Sequence, residues 1–209
     1  MKKYNDREAY VVEMLAKYKT QAPSNILSDI GSGWGWLKPH AEKNNLIWQP
    51  FDYVSKIKEA TIWDLNQTCP DTAKPAGICV MLEVLEHLAN PMISIQHIAE
   101  HMLPGAIMIM SVPNPSWSHN RIHLLSKGSL YSFQKKHLEE HHVFTPWKHI
   151  VEFFFEQNGF EILEYHAIIQ IKYKPVDFKT LILFILQRII EKRDPLSAGL
   201  SYGLVLKKK

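Results

Sequence analysis

Three carboxylates, three glycines and a short acid-histidine run are the residues here whose types and spacing could do chemistry. The stretch Ser28-Asp-Ile-Gly-Ser-Gly-Trp-Gly-Trp-Leu37 sets Gly31, Gly33 and Gly35 at alternate positions behind Asp29, directly after the apolar pair Ile26-Leu27. A strand running into a glycine-rich turn before a helix is an arrangement for holding a nucleotide. Glycine lets a ligand reach the backbone, and the helix start offers free N–H groups with a positive dipole end. A dinucleotide site wants a third small residue where Trp36 stands, so a pyrophosphate ligand loses ground. A carboxylate at the strand end would also repel a diphosphate and attract a cation.

S-adenosylmethionine (SAM) meets that requirement, with an ammonium and a sulfonium beside a single carboxylate. Asp29-Ile-Gly-Ser-Gly-Trp-Gly35 resembles the D/E-x-G-x-G-x-G first motif of class I SAM-dependent methyltransferases, nearest to the small ubiquinone-biosynthesis and methionine-biosynthesis-associated types. The likeness runs from about residue 24 to 165. It implies a Rossmann-like, doubly wound α/β fold, with a mostly parallel seven-stranded sheet whose last strand is antiparallel. It also implies SAM as cofactor, with Asp29, Gly31, Ser32, Gly33 and Gly35 around the methionyl part. Asp52 matches the acid on the ribose hydroxyls, Asp64 and Leu65 match the adenine contacts, and backbone near Met81 and Leu82 lines the pocket. Asp52 follows Asp29 by 23 residues, close to the interval at which ribose-binding carboxylates occur elsewhere.

The run Val80-Met-Leu-Glu-Val-Leu-Glu-His-Leu88 resembles the E-V-L-E-H motif that follows the fourth strand in these enzymes. On a helix, Glu83 would share a face with Glu86 and His87. One role for the motif is structural, Glu83 and His87 tying the strand end to neighbouring loops. The other is a divalent metal site: Glu83, Glu86, His87 and His142 resemble the ion-binding set of small-RNA terminal 2′-O-methyltransferases. Two carboxylates and two imidazoles suit Mn²⁺ or Fe²⁺, and such an ion would stabilise an acceptor alkoxide. Without metal, His87 and His142, with Glu86 beside them, are the candidate catalytic groups, and His119 and His123 are further candidate bases.

The elements that must position these groups follow from length and patterning. The 209 residues, 46% hydrophobic, suffice for one well-filled core, so residues 1–209 are expected as a single domain. Tyr10, Val11, Met14, Leu15 and Tyr18 share one side of a helical wheel, which makes residues 1–22 a leading helical segment. Short apolar runs at 25–30, 47–51, 60–63, 77–82, 106–112, 160–169 and 200–206 read as strands, with helices expected over 91–102 and 147–158. Strands alternating with helices argue for a mainly parallel sheet covered on both faces. Only eleven residues separate Asp52 from Asp64, too few for the usual crossover helix. Residues 113–146, rich in His, Ser and aromatics with little periodicity, are expected as a substrate loop or lid, with Arg121 either a clamp for an anionic acceptor or a salt-bridge partner.

A net charge of +3, with no basic run beyond Lys207-Lys208-Lys209, argues against a dedicated nucleic-acid binder, and no DNA partner is expected. Cys69 and Cys79, separated by nine residues, have no partner cysteines to suggest zinc, and no signal peptide is evident, so the cytoplasm is the default expectation. The apolar stretch 178–190 is short for a membrane span and carries Lys179, Gln187 and Arg188. A buried or interface helix is expected there, docking a second copy or a partner protein, with a membrane-surface role as the alternative. The expected reaction is methyl transfer from SAM to a small molecule, at a hydroxyl oxygen. The alternatives are a metal-assisted RNA 2′-O-methyltransferase and a non-catalytic SAM-binding subunit.

Overall fold

The computed structural model describes residues 1–171 and 175–209. In chain order the elements are β1 (Lys3–Tyr4), α1 (Arg7–Tyr18), β2 (Ile26–Ile30), α2 (Lys38–Lys43), β3 (Ile47–Asp52), β4 (Thr61–Ile62) and β5 (Ala76–Leu82). A 3-10 turn (Leu85–His87) leads to α3 (Pro91–His101), β6 (Met102–Pro113), α4 (Ser118–Lys127), α5 (Lys135–Leu138), α6 (Lys148–Gln157) and β7 (Phe160–Ile168). The chain closes with α7 (Phe178–Arg193), a second 3-10 turn (Pro195–Ala198) and β8 (Ser201–Lys208).

The strands form one sheet in the order β1-β7-β8-β6-β5-β2-β3-β4. Every pairing is parallel except those of β8, which runs antiparallel to both β6 and β7. The antiparallel last strand agrees with expectation, and the strand count is corrected to eight. The addition is β1, whose two residues pair with Ala167 and Ile168 at the sheet edge.

The inner strands carry apolar residues on both faces because both faces are covered. Ile78 and Val80 of β5 point toward α1, where they meet Tyr10, Val11, Met14 and Leu15. Cys79 and Met81, one position out of phase, point toward α3 and α6 and pack with Ile98, Val151 and Phe155. Asp6 starts α1 by accepting the Ala9 N–H at 2.8 Å. The Tyr10 hydroxyl then reaches across the sheet to donate to the Leu204 carbonyl at 2.8 Å. Gly203 makes room for that ring, since a Cβ there would lie 2.6 Å from Tyr10 Cζ.

Two connections depart from expectation or sharpen it. Residues 53–60 between β3 and β4 contain no helix, as their length required. Residues 113–146 are more structured than a loop, because α4 and α5 lie inside them. Chain order reverses at β2, whose neighbours are β3 on one side and β5 on the other. The crevice beyond the carboxyl ends of strands at such a reversal is where open α/β sheets take ligands.

Candidate cofactor pocket and active site

All three glycines of the turn after β2 have left-handed backbone, with φ of 75° at Gly31, 54° at Gly33 and 76° at Gly35. The Gly31 and Ser32 N–H groups both donate to the Phe51 carbonyl, at 2.9 and 3.0 Å, which pins the turn to the end of β3. A Cβ on Gly31 would sit 2.5 Å from Val84 Cγ2, whereas one on Gly33 would meet nothing within 4 Å. The turn is therefore packed from below at Gly31 and bare above Gly33, the side on which a ligand can touch backbone. Helix α2 does not follow at once: turns through Gly35 and Lys38 intervene, with Trp34 and Trp36 exposed beside them.

Asp29 is only 5% exposed, and its Oδ2 accepts the Trp48 indole N–H at 3.0 Å. Burial pushes its carboxyl up to about 6, the indole hydrogen bond pulls the other way, and the nearby Asp52 carboxylate adds to the rise. Asp52 accepts the Gly33 N–H at 2.9 Å through Oδ2 and the Val54 N–H at 3.4 Å through Oδ1, so it also steadies the open glycine. Asp64 follows β4 closely, and the Trp63 N–H donates to the Asp52 carbonyl at 3.0 Å, which brings the two acids to one end of the sheet. Asp64 Oδ1 accepts from both the backbone and side-chain nitrogens of Asn66 at 2.9 Å. Leu65 is buried, with its carbonyl bonded to His97 Nδ1 at 3.0 Å. Met81 is buried beneath the turn and pairs in register with Ile30, and Leu82 is half-buried beside it.

The acid-histidine run is arranged differently from expectation. Glu83 has φ of 52°, and the helical turn begins only at Leu85, so Glu83 and Glu86 do not share a helix face. The carboxylate of Glu83 accepts from Ser111 Oγ at 2.7 Å and Ser201 Oγ at 3.0 Å. It thereby ties β5 to β6 and β8 and stands apart from the set that could bind an ion. Burial raises its pKa, and Arg7 with the two serines oppose that rise.

Glu86, His87 and His142 do come together, with one ligand atom from each lying within 4.8 Å of the others. Glu86 is 1% exposed, and its Oε2 has no hydrogen-bond partner among the described residues. Burial first, and the Glu83 carboxylate second, push its carboxyl far above the usual range. The His87 and His142 rings meet edge to face at 4.8 Å, and His142 Nδ1 is also buried without a partner among the described residues. Burial and His87 hold His142 below the ordinary imidazole value. The backbone brings them together: the Glu86 carbonyl accepts the N–H groups of Val143 and Phe144 at 2.9 and 3.0 Å, clipping the strand end to the segment after α5.

Other candidates in 113–146 have structural work. Arg121 donates to the Ser116 carbonyl at 2.9 Å and pairs with Asp194, so it joins α4 to the end of α7 as a salt bridge instead of facing an acceptor. Asn114 donates to the Leu196 and Gly199 carbonyls at 2.9 and 3.0 Å, which locks the turn after β6, at Pro113-Asn114, against the second 3-10 turn. His119 and His123 gather around Tyr131, with ring centroids 4.9 and 5.8 Å away. Sequence reasoning missed Trp48 and Val84. Alternation carries a signal for the first: Leu27 pairs with Trp48 and Asp29 with Pro50, so Trp48 is the diagonal, same-face neighbour of Asp29.

A family model described as a methyltransferase domain matches residues 5–165, which include every group of this pocket. The chain belongs to the methyltransferase domain family. It is a class I SAM-dependent methyltransferase, with SAM as its cofactor. No curated protein matches the sequence. Among solved structures, the methyltransferase is similar to a SAM-dependent methyltransferase from Archaeoglobus fulgidus, at 15% identity and a TM-score of 0.61, over 95% of this chain and 93% of the other. Magnesium protoporphyrin IX methyltransferase from Synechocystis, solved with S-adenosylhomocysteine (SAH) bound, has a TM-score of 0.59 at 14% identity, over 95% and 80% of the two chains. The complex containing the Haloferax volcanii Trm112 methyltransferase activator supplies a third likeness, with a TM-score of 0.57 at 14% identity over 96% and 90%. At these identities the likenesses establish the fold.

Proposed function

We propose that this methyltransferase acts on a small-molecule acceptor at a hydroxyl oxygen, with both reactants meeting over the turn at Gly33. The observation that carries the reading is the contact of Val84 with Gly31. It joins the acid-histidine run to the glycine turn, so the two motifs wall one pocket. Asp29 would hold the ammonium of SAM, Asp52 the ribose hydroxyls, and Asp64 with Leu65 the adenine. SAM supplies a methyl carbon on a positively charged sulfur. The acceptor oxygen forms the new O–C bond with a lone pair, and the C–S electrons remain on sulfur as SAH leaves. The hydroxyl proton goes to an imidazole of the His87–His142 pair. His142, held below its ordinary value by burial, is neutral at pH 7 and able to take it. The rest of the acceleration comes from alignment and exclusion of water.

Calorimetry with SAM and SAH, followed by SAH release with matched hydroxyl and amine acceptors, tests this reading. Turnover confined to amines would overturn the hydroxyl assignment. Asp52→Ala is expected to weaken SAM about tenfold, the worth of one lost hydrogen-bonded contact.

A second reading rests on the unpartnered Glu86 Oε2 and His142 Nδ1. Glu86, His87 and His142 would hold a divalent ion of the Mn²⁺ or Fe²⁺ kind, whose Lewis acidity would favour the acceptor alkoxide. A chelator that leaves turnover untouched would exclude this version.

A further inference from the structure

Helix α7 exposes a broad apolar stripe. Its buried side chain is Gln187, while Phe178, Leu181, Ile182, Ile185, Leu186 and Ile189 are exposed, Phe178 by 78% and Ile185 by 50%. At about 3.6 residues per turn these six form one broad stripe, with Gln187 on the opposite side. The Gln187 amide meets His119 Nδ1 at 3.2 Å, so the Gln187 side of α7, with Leu183 and Phe184 half-buried beside it, rests on α4. Leu124 and Leu125 of α4, the latter 89% exposed, add apolar residues open to water on the helix that α7 contacts. A buried helix, one of the expectations for this stretch, is therefore ruled out, and α7 lies outside the residues that the family model matches.

The charges around the stripe indicate what covers it. Lys179 and Arg188 fall on its two flanks, Lys192 and Arg193 close its C-terminal end, and all four are exposed. Between residues 122 and 138, Lys127, Lys135 and Lys136 are accompanied by no acid in the sequence, Arg121 before them being paired with Asp194. The acids of α7 and its caps are engaged within the chain. Asp177 accepts the Thr180 N–H at 2.7 Å, Glu191 accepts from Ser118 Oγ at 3.1 Å and from Arg188 at 2.9 Å, and Asp194 pairs with Arg121. Two copies placed face to face would set one cationic rim against another around the apolar seam. An anionic surface would not. No helix among the described residues is long and apolar enough to cross a membrane.

We infer that α7, with the exposed leucines of α4, docks this enzyme on the surface of an anionic lipid bilayer. The apolar stripe lies among the acyl-chain tops, and the flanking lysines and arginines lie among the headgroups. The docking itself does not depend on the acceptor's identity.

Vesicle flotation of the full chain tests the inference, with phosphatidylcholine vesicles and with the same vesicles containing phosphatidylglycerol. The wild type is expected to float with the mixed vesicles and to be released by high salt. Ile182→Asp with Ile185→Asp is expected to abolish flotation while leaving SAM affinity and the far-UV circular dichroism at wild-type values. Should that pair misfold, Lys179→Gln with Lys192→Gln is an independent variant, expected to weaken binding about fivefold for each cation removed. Failure of the wild type to float would overturn the proposal. So would equal binding to neutral and anionic vesicles, or a stable dimer that Ile185→Asp splits without any vesicle uptake.

Discussion

The glycine turn and the Glu86–His87–His142 cluster are joined through Val84, yet they meet their own polar groups to different degrees. Around the turn the backbone and Asp29 are met from within the chain: Phe51 takes two N–H groups, Asp52 takes the Gly33 N–H, and Trp48 caps Asp29, while Ser32 Oγ is buried with no partner among the described residues. In the cluster, Glu86 Oε2 and His142 Nδ1 are buried with no partner among the described residues. The first region is a cradle finished in its backbone, preorganised before any ligand arrives, with the Ser32 hydroxyl as its one unmet group among the described residues. The second is an unfinished one, in which burial drives Glu86 toward its neutral acid and His142 toward its neutral base. Preorganisation suits the cofactor common to the whole class, and unmet valence suits the partner that varies.

The largest expected effect breaks the finished side. Gly31→Ala must place a methyl 2.5 Å from Val84 Cγ2 and hold a left-handed φ, so a loss of about 3–5 kcal/mol in denaturant stability is expected, with SAM binding lost as well. Gly33→Ala meets no neighbour and should lose only about 1 kcal/mol of stability, while still weakening SAM. Combining Gly31→Ala with Val84→Ala should restore part of the stability, and no restoration would mean that the contact is not what limits Gly31.

Next is Asp29, where stability and binding should move in opposite directions. Its folded-state value, about 6, lies above the ordinary 3.8, so its contribution to stability is fully present below pH 3.8 and is lost as pH rises through about 6. At pH 7.5 Asp29→Asn should therefore stabilise the fold by about 1–3 kcal/mol while weakening SAM by about 100-fold. In the wild type, SAM affinity should fall as pH drops through about 6, and a flat profile from pH 5 to 7.5 would remove Asp29 from contact with the ammonium.

The smallest structural effect should come from the unfinished side. Glu86→Gln removes the cost of protonating a carboxyl on burial and ought to leave the melting temperature unchanged or slightly higher. If the cluster holds a divalent ion, calorimetry should show Mn²⁺ affinity reduced by about 100-fold, since the amide is a poor substitute for a carboxylate ligand. Equal Mn²⁺ binding by both proteins would sharpen the contrast differently, leaving Glu86 as a proton carrier.

Seven of the eight strands are legible in the letters, the inner ones because strands buried on both faces are short continuous apolar runs between turn residues. The eighth is two residues long, and its only evidence is tertiary: Tyr4 is buried between the Tyr10 and His166 rings, at 5.4 and 5.3 Å. Helix α4 is hidden for another reason. It buries only Ser118 and Asn120, so no apolar stripe announces it. The family resemblance set Asp29, Asp52 and Asp64 at strand ends, with the 23-residue interval supporting Asp52, and all three lie at one end of the sheet. Spacing failed at Glu83, because the three-and-four rule assumes a helix and Glu83 is left-handed. Residue type alone could not tell Arg121 the clamp from Arg121 the brace, since the deciding partner, Asp194, lies far along the chain.

The helix-free bridge between β3 and β4 leaves Tyr53 71% exposed, with Val54 and Ile62 also open to water. With the nucleoside seated as proposed, the outer edge of its base would look onto solvent through this gap. A purine bearing a tether at that edge should then slip in without a clash, so SAH immobilised through its adenine would capture the folded enzyme where a resin linked through the amino acid would not.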